Sequence, residues 1–473
     1  MTGQTLAALE ARLNDDLDHL NFFGKDWVPP RRVGNREVLD VAVIGGGMCG
    51  LVTSLALLKQ GIRNHRVFDM APKGLEGPWR TIARMETLRS PKTLTGPAFG
   101  LPALTFRAWY EATRGQAAWE ELFRIDRGDW MDYLIWYREV MGLPVENLVR
   151  MTGLSQGPEG LIEVHLDRGG QTESVLARRL VLANGRDGLG GNYLPPVARS
   201  VDARFVAHSA DVIDFAPLRG KNVAVIGGGA SAMDNAGTAL EEGAARVDLF
   251  IRRPAIPRIN KGMGVSSPGL VHGFIDLPPG IKWDIQSYIE RCQTPPPRNS
   301  TLRVSRHPNA YFHTGSPINS LREVDGRVIV TTPKGEYPVD FLIFATGFWV
   351  DFSQRPELAA IAPHIRLWQD GLAEEDRRGE SLARSPDLGP AFEFREKVPG
   401  ACPMLSRIHC FNFPALLSHG KLSGDIPAVS EGADRLVRGI TASLFVEDAE
   451  AHFETLKAYD TPELLGDEWT EAD

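Results

Sequence analysis

Cysteine is scarce in this chain. Four stand among 473 residues, at positions 49, 292, 402 and 410, and no two form a Cys-x-x-Cys pair. That excludes a dithiol redox centre and a disulfide scaffold, and it leaves no zinc-ligand spacing, so no metal is expected. A reducing, cytoplasmic setting fits such cysteine usage. Long apolar runs are also missing. No stretch of 18 apolar residues occurs, so no membrane-spanning helix is expected. The N-terminus, MTGQTLAALEARLNDDLDHL, lacks the basic start and apolar centre of a secretion signal. Its Leu6, Leu9, Leu13, Leu17 and Leu20 recur at helical spacing, as for a helix packed on the body. Basic charge is in deficit: 52 Lys and Arg face 60 Asp and Glu, a net charge of −8 that argues against a nucleic-acid surface.

Glycine is what the chain has in excess. Its 48 glycines are about one residue in ten, against roughly 7% in average proteins. They follow no period of three, so no collagen helix is encoded. With 43% hydrophobic residues the chain has apolar surface enough for a folded core. The excess must therefore sit at particular turns.

One such turn follows the apolar run Val38–Ile44, which reads as a buried parallel strand. Gly45-Gly46-Gly47-Met48-Cys49-Gly50 comes next, then a helical pattern from Leu51 to Gln60. A second strand, HRVFD, closes on Asp69, 24 residues after Gly45. Gly45 permits the tight turn, Gly47 lets backbone N–H groups approach a pyrophosphate, and Gly50 allows the helix close to the strand. Met48 and Cys49 lie in the helix start, where the dipole favours phosphate. Asp69 is placed to bind a ribose. Trp79, in the following Gly77-Pro78-Trp79 turn, is either a flavin contact or an ordinary buried tryptophan.

The pattern recurs 182 residues later. Lys221–Ile226 is a strand, Gly227-Gly228-Gly229-Ala230-Ser231-Ala232 the turn, and Arg246–Ile251 the next strand. This one ends in Arg252 and Arg253 rather than in an acid. Two arginines match a 2′-phosphate through bidentate, charge-assisted contacts, so the nucleotide expected here is NADPH. Lys261 is a further candidate for the same phosphate. The first site, keeping its acid, is expected to hold FAD.

The fold class is therefore α/β, with two Rossmann-like dinucleotide-binding domains. Two more apolar strands, Leu180–Gly185 and Asp340–Gly347, end in Ala-Asn-Gly and Ala-Thr-Gly. They mark crossings between the halves, with Asn184, Gly185, Thr346 and Gly347 at the cofactors. The expected boundaries are 1–204 for the first part of a discontinuous FAD domain, with an N-terminal helix and a helical insert. The NADPH domain spans 205–337 with its own insertion, and 338–473 completes the FAD domain.

These elements resemble the class B flavin-dependent monooxygenases: flavin-containing monooxygenases, Baeyer–Villiger monooxygenases, N-hydroxylases and bacterial flavoproteins of the CzcO-like group. The resemblance spans roughly residues 38 to 350. It implies that NADPH reduces FAD, that O₂ adds to the reduced flavin as a C4a-(hydro)peroxyflavin, and that one oxygen atom passes to a small-molecule substrate at a nitrogen, sulfur or carbonyl centre. The family pattern Phe-x-Gly-x-x-x-His is altered here: Phe205 and His208 stand in a segment with Arg204 where glycine belongs. His208 remains a candidate for positioning NADP⁺, or a structural histidine. Gly424 and Asp425 precede a late helical run; they either contact the flavin side of the cofactor or cap that helix. Arg89 and Lys92 are the candidate catalytic cations, able to stabilise a developing anion; a surface basic patch is the alternative. The aromatic face Trp130, Tyr133, Tyr137 reads as core packing rather than a substrate cage. Residues 96–128 and 255–320 fit no nucleotide-domain element and are expected to set substrate choice. An NADPH-dependent reductase or oxidase, or a non-catalytic flavoprotein, are the alternatives; a homo-oligomer is compatible with the sequence.

Overall fold

In the computed structural model, which describes residues 5–372, 381–470 and 472, each glycine turn follows a central strand of its own sheet. The strand Arg36–Ile44 is buried on both faces from Val38 onward, as a parallel strand covered by helices must be. His65–Phe68 and Gln171–Leu182 flank it in parallel, and Ile408–Cys410 pairs in parallel with the end of the latter. The start of Gln171–Leu182 also joins an antiparallel meander with Ile162–Arg168 and Val149–Gln156. The helix Met48–Lys59 lies between this sheet and the long helix Val429–Glu447.

The second sheet is wholly parallel, in the order Ala310–Thr314, Arg246–Ile251, Asn222–Ile226, Phe341–Phe344, Val206–His208. Two sequence expectations are corrected by this pairing. Phe341–Phe344 is hydrogen-bonded beside Asn222–Ile226, so the return to the first sheet comes after Phe344 and not at 338. Ala310–Thr314 is an edge strand of the nucleotide sheet, although residues 255–320 were expected to fit no nucleotide-domain element.

The N-terminal helix Leu6–His19 buries Leu9 and Leu13 against the insert, as its leucine spacing predicted. The insert's centre is Phe106, whose ring meets those of Trp109, Tyr110, Trp119, Trp130 and Tyr133. Tyr133 and Tyr137 are fully buried and donate to the carbonyls of Leu104 and Pro97 at 2.8 and 2.9 Å, so this aromatic face is core. On the other side, the helix Arg298–Ser305 packs on the second nucleotide helix, Ala230–Glu241.

A buried charge cluster fastens the C-terminal helix to the first sheet. Arg178 has no exposed surface, and its guanidinium lies 2.8 Å from Asp448, 3.5 Å from Glu447 and 3.7 Å from Asp40. Arg179 adds a 2.9 Å pair with Glu447. Burial pushes the Asp40 carboxyl up to about 7 in spite of Arg178.

Candidate functional site

The first turn is shaped by close approach. Gly45 has φ +107°, and a side chain there would meet the carbonyl oxygen of Ala183 at 2.5 Å. The second turn repeats this against the other sheet: a side chain on Gly227 would meet the Ala345 carbonyl oxygen at 2.5 Å. Each turn thus has the backbone of a crossing against it, which is why Gly45 and Gly227 carry no side chain.

Asp69 is buried, and its two oxygens accept from the backbone N–H groups of Gly46 at 2.6 Å and Ala71 at 2.7 Å. Each oxygen keeps a lone pair for a ribose hydroxyl. Burial nevertheless raises its pKa above the ordinary carboxylate value. A cavity beside the turn is lined by Gly46, Gly47, Lys73, Glu76 and Arg138. Glu76, which the sequence reading missed, is buried and paired with Arg138 at 2.9 Å. Gly77 comes within 3.9 Å of where a Gly47 side chain would stand, so the turn carrying Trp79 sits on the glycine turn. Trp79 is half-buried, with its ring edge-on to Trp130 at 6.3 Å. Met48 is buried, and the Cys49 thiol donates to the Ser423 carbonyl at 3.5 Å. Burial pushes that thiol up to about 12, so it is inert.

At the second turn, Gly229 has open space where its side chain would be, and Ala230 and Ser231 begin the helix beside it. Ala232 is fully buried in the third-glycine position. Arg252 and Arg253 line a cavity of about 230 Å³ together with Arg291, Ser287, Gln293 and Ser381. Among the described residues none of the three arginine side chains has a carboxylate or hydrogen-bond partner, and Glu290, which also lines the cavity, accepts from Ser381 at 3.0 Å. Arg291 was not legible in sequence: it comes from the helix Pro279–Cys292, which carries no nucleotide motif. Lys261 does not line this cavity.

The crossings meet at the carboxyl ends of the first sheet. Asn184 accepts from Asn412 at 2.8 Å and donates to Gly188 at 3.0 Å, and Gly185 follows with φ +88°. On the return crossing the Thr346 hydroxyl donates to the Tyr193 carbonyl, and the Gly347 carbonyl accepts from Tyr193 at 2.9 Å. His208 is buried, with its ring edge-on to Phe348 at 5.7 Å. Ala210 N–H donates to its Nδ1 at 3.1 Å, which leaves the proton on Nε2, and burial lowers its pKa. Gly424 is exposed beside Phe413, and Asp425 makes no helix-capping hydrogen bond. Burial raises the Asp425 carboxyl, against the pull of Lys421 and Arg89.

The two candidate catalytic cations separate. Arg89 faces Asp425 and donates to the Pro295 carbonyl at 2.8 Å, which bridges the first half to the insert of the second. Lys92 donates to the carbonyls of Trp119 and Glu120 at 2.6 and 3.2 Å and lies over the Trp119 ring, so its contacts are those of an insert brace.

Comparison with known proteins agrees with this geometry. Residues 42–266 match the family described as pyridine nucleotide-disulphide oxidoreductase. The FAD-dependent urate hydroxylase of Xanthomonas campestris pv. campestris is 38% identical over 466 residues, 98% of each chain. Among solved structures, the FAD-bound cadaverine monooxygenase DfoA of Erwinia amylovora aligns at a TM-score of 0.63 and 16% identity, over 92% of this chain and 99% of that one. The ornithine N-hydroxylase KtzI of Kutzneria sp. 744, solved with reduced FAD, NADP⁺ and L-ornithine, aligns at 0.65 and 17% identity, over 86% and 99%. At that identity these two establish the fold. Among the described residues no helix is long and apolar enough to cross a membrane, and no group of three or more His, Cys, Asp or Glu could hold a metal ion. With a relative this similar along its whole length, the chain belongs to the family of the FAD-dependent urate hydroxylase.

Proposed function

We propose that this chain transfers one oxygen atom from O₂ to a small, planar, nitrogen-rich substrate of the urate kind, at the junction of its two sheets. When bound, FAD supplies the redox chemistry, accepting hydride from NADPH and activating O₂. The chain's own residues position and shield that chemistry. Gly45, Gly47 and Gly50 bring the first helix's N–H groups to the FAD pyrophosphate, and Asp69 takes the ribose. Gly227, Gly229 and Ala232 do the same for NADPH, whose 2′-phosphate is assigned to Arg252, Arg253 and Arg291. The Trp79 turn, Asn184, Gly185, Thr346, Gly347, Gly424 and Asp425 surround the flavin end, and His208 orients the nicotinamide half. Arg89, beside Asp425, is the cation assigned to the reacting end; Lys92 is assigned to bracing the insert.

The observation that carries this reading is the asymmetry of the two strand ends. One ends in Asp69 tied to its glycine turn; the other ends in a cavity lined by three arginines and the single acid Glu290, and among the described residues none of those arginines is paired. That asymmetry supports giving FAD to the first turn and NADPH to the second, an arrangement in which one can pass hydride to the other. The unpaired state of all four cysteines favours a reducing, cytoplasmic setting. Whether it works as a monomer or a homo-oligomer is read by light scattering on the holoenzyme.

The test is NADPH-driven bleaching of the bound FAD, followed by turnover of urate under ¹⁸O₂. Bleaching with one labelled oxygen in the product is the expected result. Bleaching with H₂O₂ as the only product would make the chain an oxidase and overturn oxygen transfer. Labelled product from another substrate but none from urate would overturn the substrate assignment alone.

A further inference from the structure

The mechanism above leaves one cation without a task. Arg186 follows Gly185 at the carboxyl end of the strand Gln171–Leu182, in a loop held from several directions. Asn184 clasps Gly188, and Gly190 N–H donates to Asp187 at 2.8 Å. Arg355 takes both the Asp187 carbonyl and its carboxylate, the latter at 2.7 Å. A side chain on Gly190 would come within 2.0 Å of the Trp349 carbonyl, so the loop packs backbone to backbone on the return crossing. The acid next to Arg186 is thus already neutralised, and the loop cannot move to find Arg186 another.

The guanidinium lies 4.3 Å above the Phe413 ring centre and 5.9 Å from that of Phe348. Aromatic rings cover the face of a guanidinium, while its five N–H donors all point outward in its plane. Among the described residues no acceptor reaches those donors. The side chain is solvent-accessible, yet the protein around it pushes its pKa below the usual arginine value. Phe413 comes from the loop that leads to Gly424 and Asp425, and Phe348 from the crossing after Gly347, against His208. The free edge therefore opens where the two cofactor sites converge.

We propose that Arg186 reads the substrate's charge, donating two parallel hydrogen bonds from its guanidinium edge to the oxygen-bearing edge of a planar, delocalised anion. This rests on the oxygen-transfer reading for the location of the reacting end, and it adds the substrate class. The ring-backed cation admits a flat anion alongside Phe413 and Phe348. It repels an alkylammonium substrate such as an amino-acid amine, for which an acid would be needed in its place.

The test uses the FAD-loaded enzyme and follows flavin absorbance during titration with four probes: urate and benzoate as planar anions, benzamide as a neutral isostere of benzoate, and L-ornithine as a cation. The wild type is expected to bind benzoate at least tenfold tighter than benzamide, and to ignore L-ornithine. Arg186→Gln is expected to lose that preference and to weaken urate binding tenfold to a hundredfold; R186K is expected to fall between them, because it keeps charge without the bidentate edge. The variant's FAD content and visible spectrum confirm that it folds. No anion preference in the wild type, or an equal preference in Arg186→Gln, overturns the proposal. Slower NADPH-driven bleaching in Arg186→Gln with its anion preference intact also overturns it, since the residue then serves the cofactor. Wild-type bleaching is read on the same samples: its absence counts against the oxygen-transfer reading and leaves the anion preference standing.

Discussion

A side-chain carbon on Gly50 would lie 1.8 Å from the carbonyl oxygen of Gly45, five residues back across the same turn. The first nucleotide helix can start only because nothing projects there. Gly50→Ala is therefore expected to push the helix away from the strand and to yield colourless protein without FAD. Gly229→Ala meets open space and is expected to keep its FAD. The ratio of visible to ultraviolet absorbance after gel filtration checks both; a yellow Gly50→Ala would refute the close approach.

The third arginine of the 230 Å³ cavity gives a cofactor prediction. Arg291→Gln is expected to raise the NADPH KM about tenfold, as for loss of one charge-assisted hydrogen bond. The NADH KM should change less than twofold. Arg252→Ala should follow the same pattern, and Lys261→Ala, outside the cavity, should match wild type. Equal changes for NADPH and NADH would show that the cavity does not read the 2′-phosphate.

Arg178 has three acids around it and no solvent. Arg178→Met keeps the volume but takes from Asp448 its buried partner, while Glu447 keeps Arg179, Arg31 and Arg407. The expected loss is about 3 kcal/mol, at the low end for a broken buried pair because both acids keep some exposure. Thermal melting of the holoenzyme would show a fall of several degrees; an unchanged Tm would mean that solvent replaces the arginine.

The same cluster sets a pH dependence. Asp40 titrates at about 7 when folded, against 3.8 when free. Between those values the folded chain holds a proton that the unfolded chain has lost, so this group's contribution to stability falls as pH rises from about 4 to 7. Asp40→Asn should therefore raise Tm at pH 8 and raise it less at pH 5. A larger gain at pH 5 than at pH 8 would reverse the sign.

Thiol reactivity should follow burial. The Cys49 thiol is pushed up to about 12, Cys410 is raised further, and Cys292 is half-buried at the end of its helix. Iodoacetamide at pH 8 is expected to label Cys292 first, and Cys49 and Cys410 only after denaturation. Peptide mass spectrometry reads the order.

The sequence by itself determined the two glycine turns, the acid on one strand end and the arginines on the other. Those signals are local: a strand, a turn and a helix must be contiguous, so their chemistry is written within thirty residues or so. It also placed Leu9 and Leu13 inside and read Trp130, Tyr133 and Tyr137 as core, because helical periodicity is a local property too. Tertiary structure alone decided which distant residues join those turns. The residues of Ala310–Thr314 suit a strand, but that it joins the nucleotide sheet is decided by the edge Arg246–Ile251 offers it. Arg291 reaches the arginine pair from a helix with no motif. Lys92 turns to two nearby carbonyls while Arg89, three residues earlier, turns to Pro295. Gly188, Gly190 and Gly191, which read only as a loop, are small because Asn184, Trp349 and Gln354 fill the space beside them. Arg186 differs from the chain's other arginines only in what surrounds it: two rings on its faces and no acid at its edge. Burial and charge pairing are properties of neighbours in space, and one strand of sequence does not contain them.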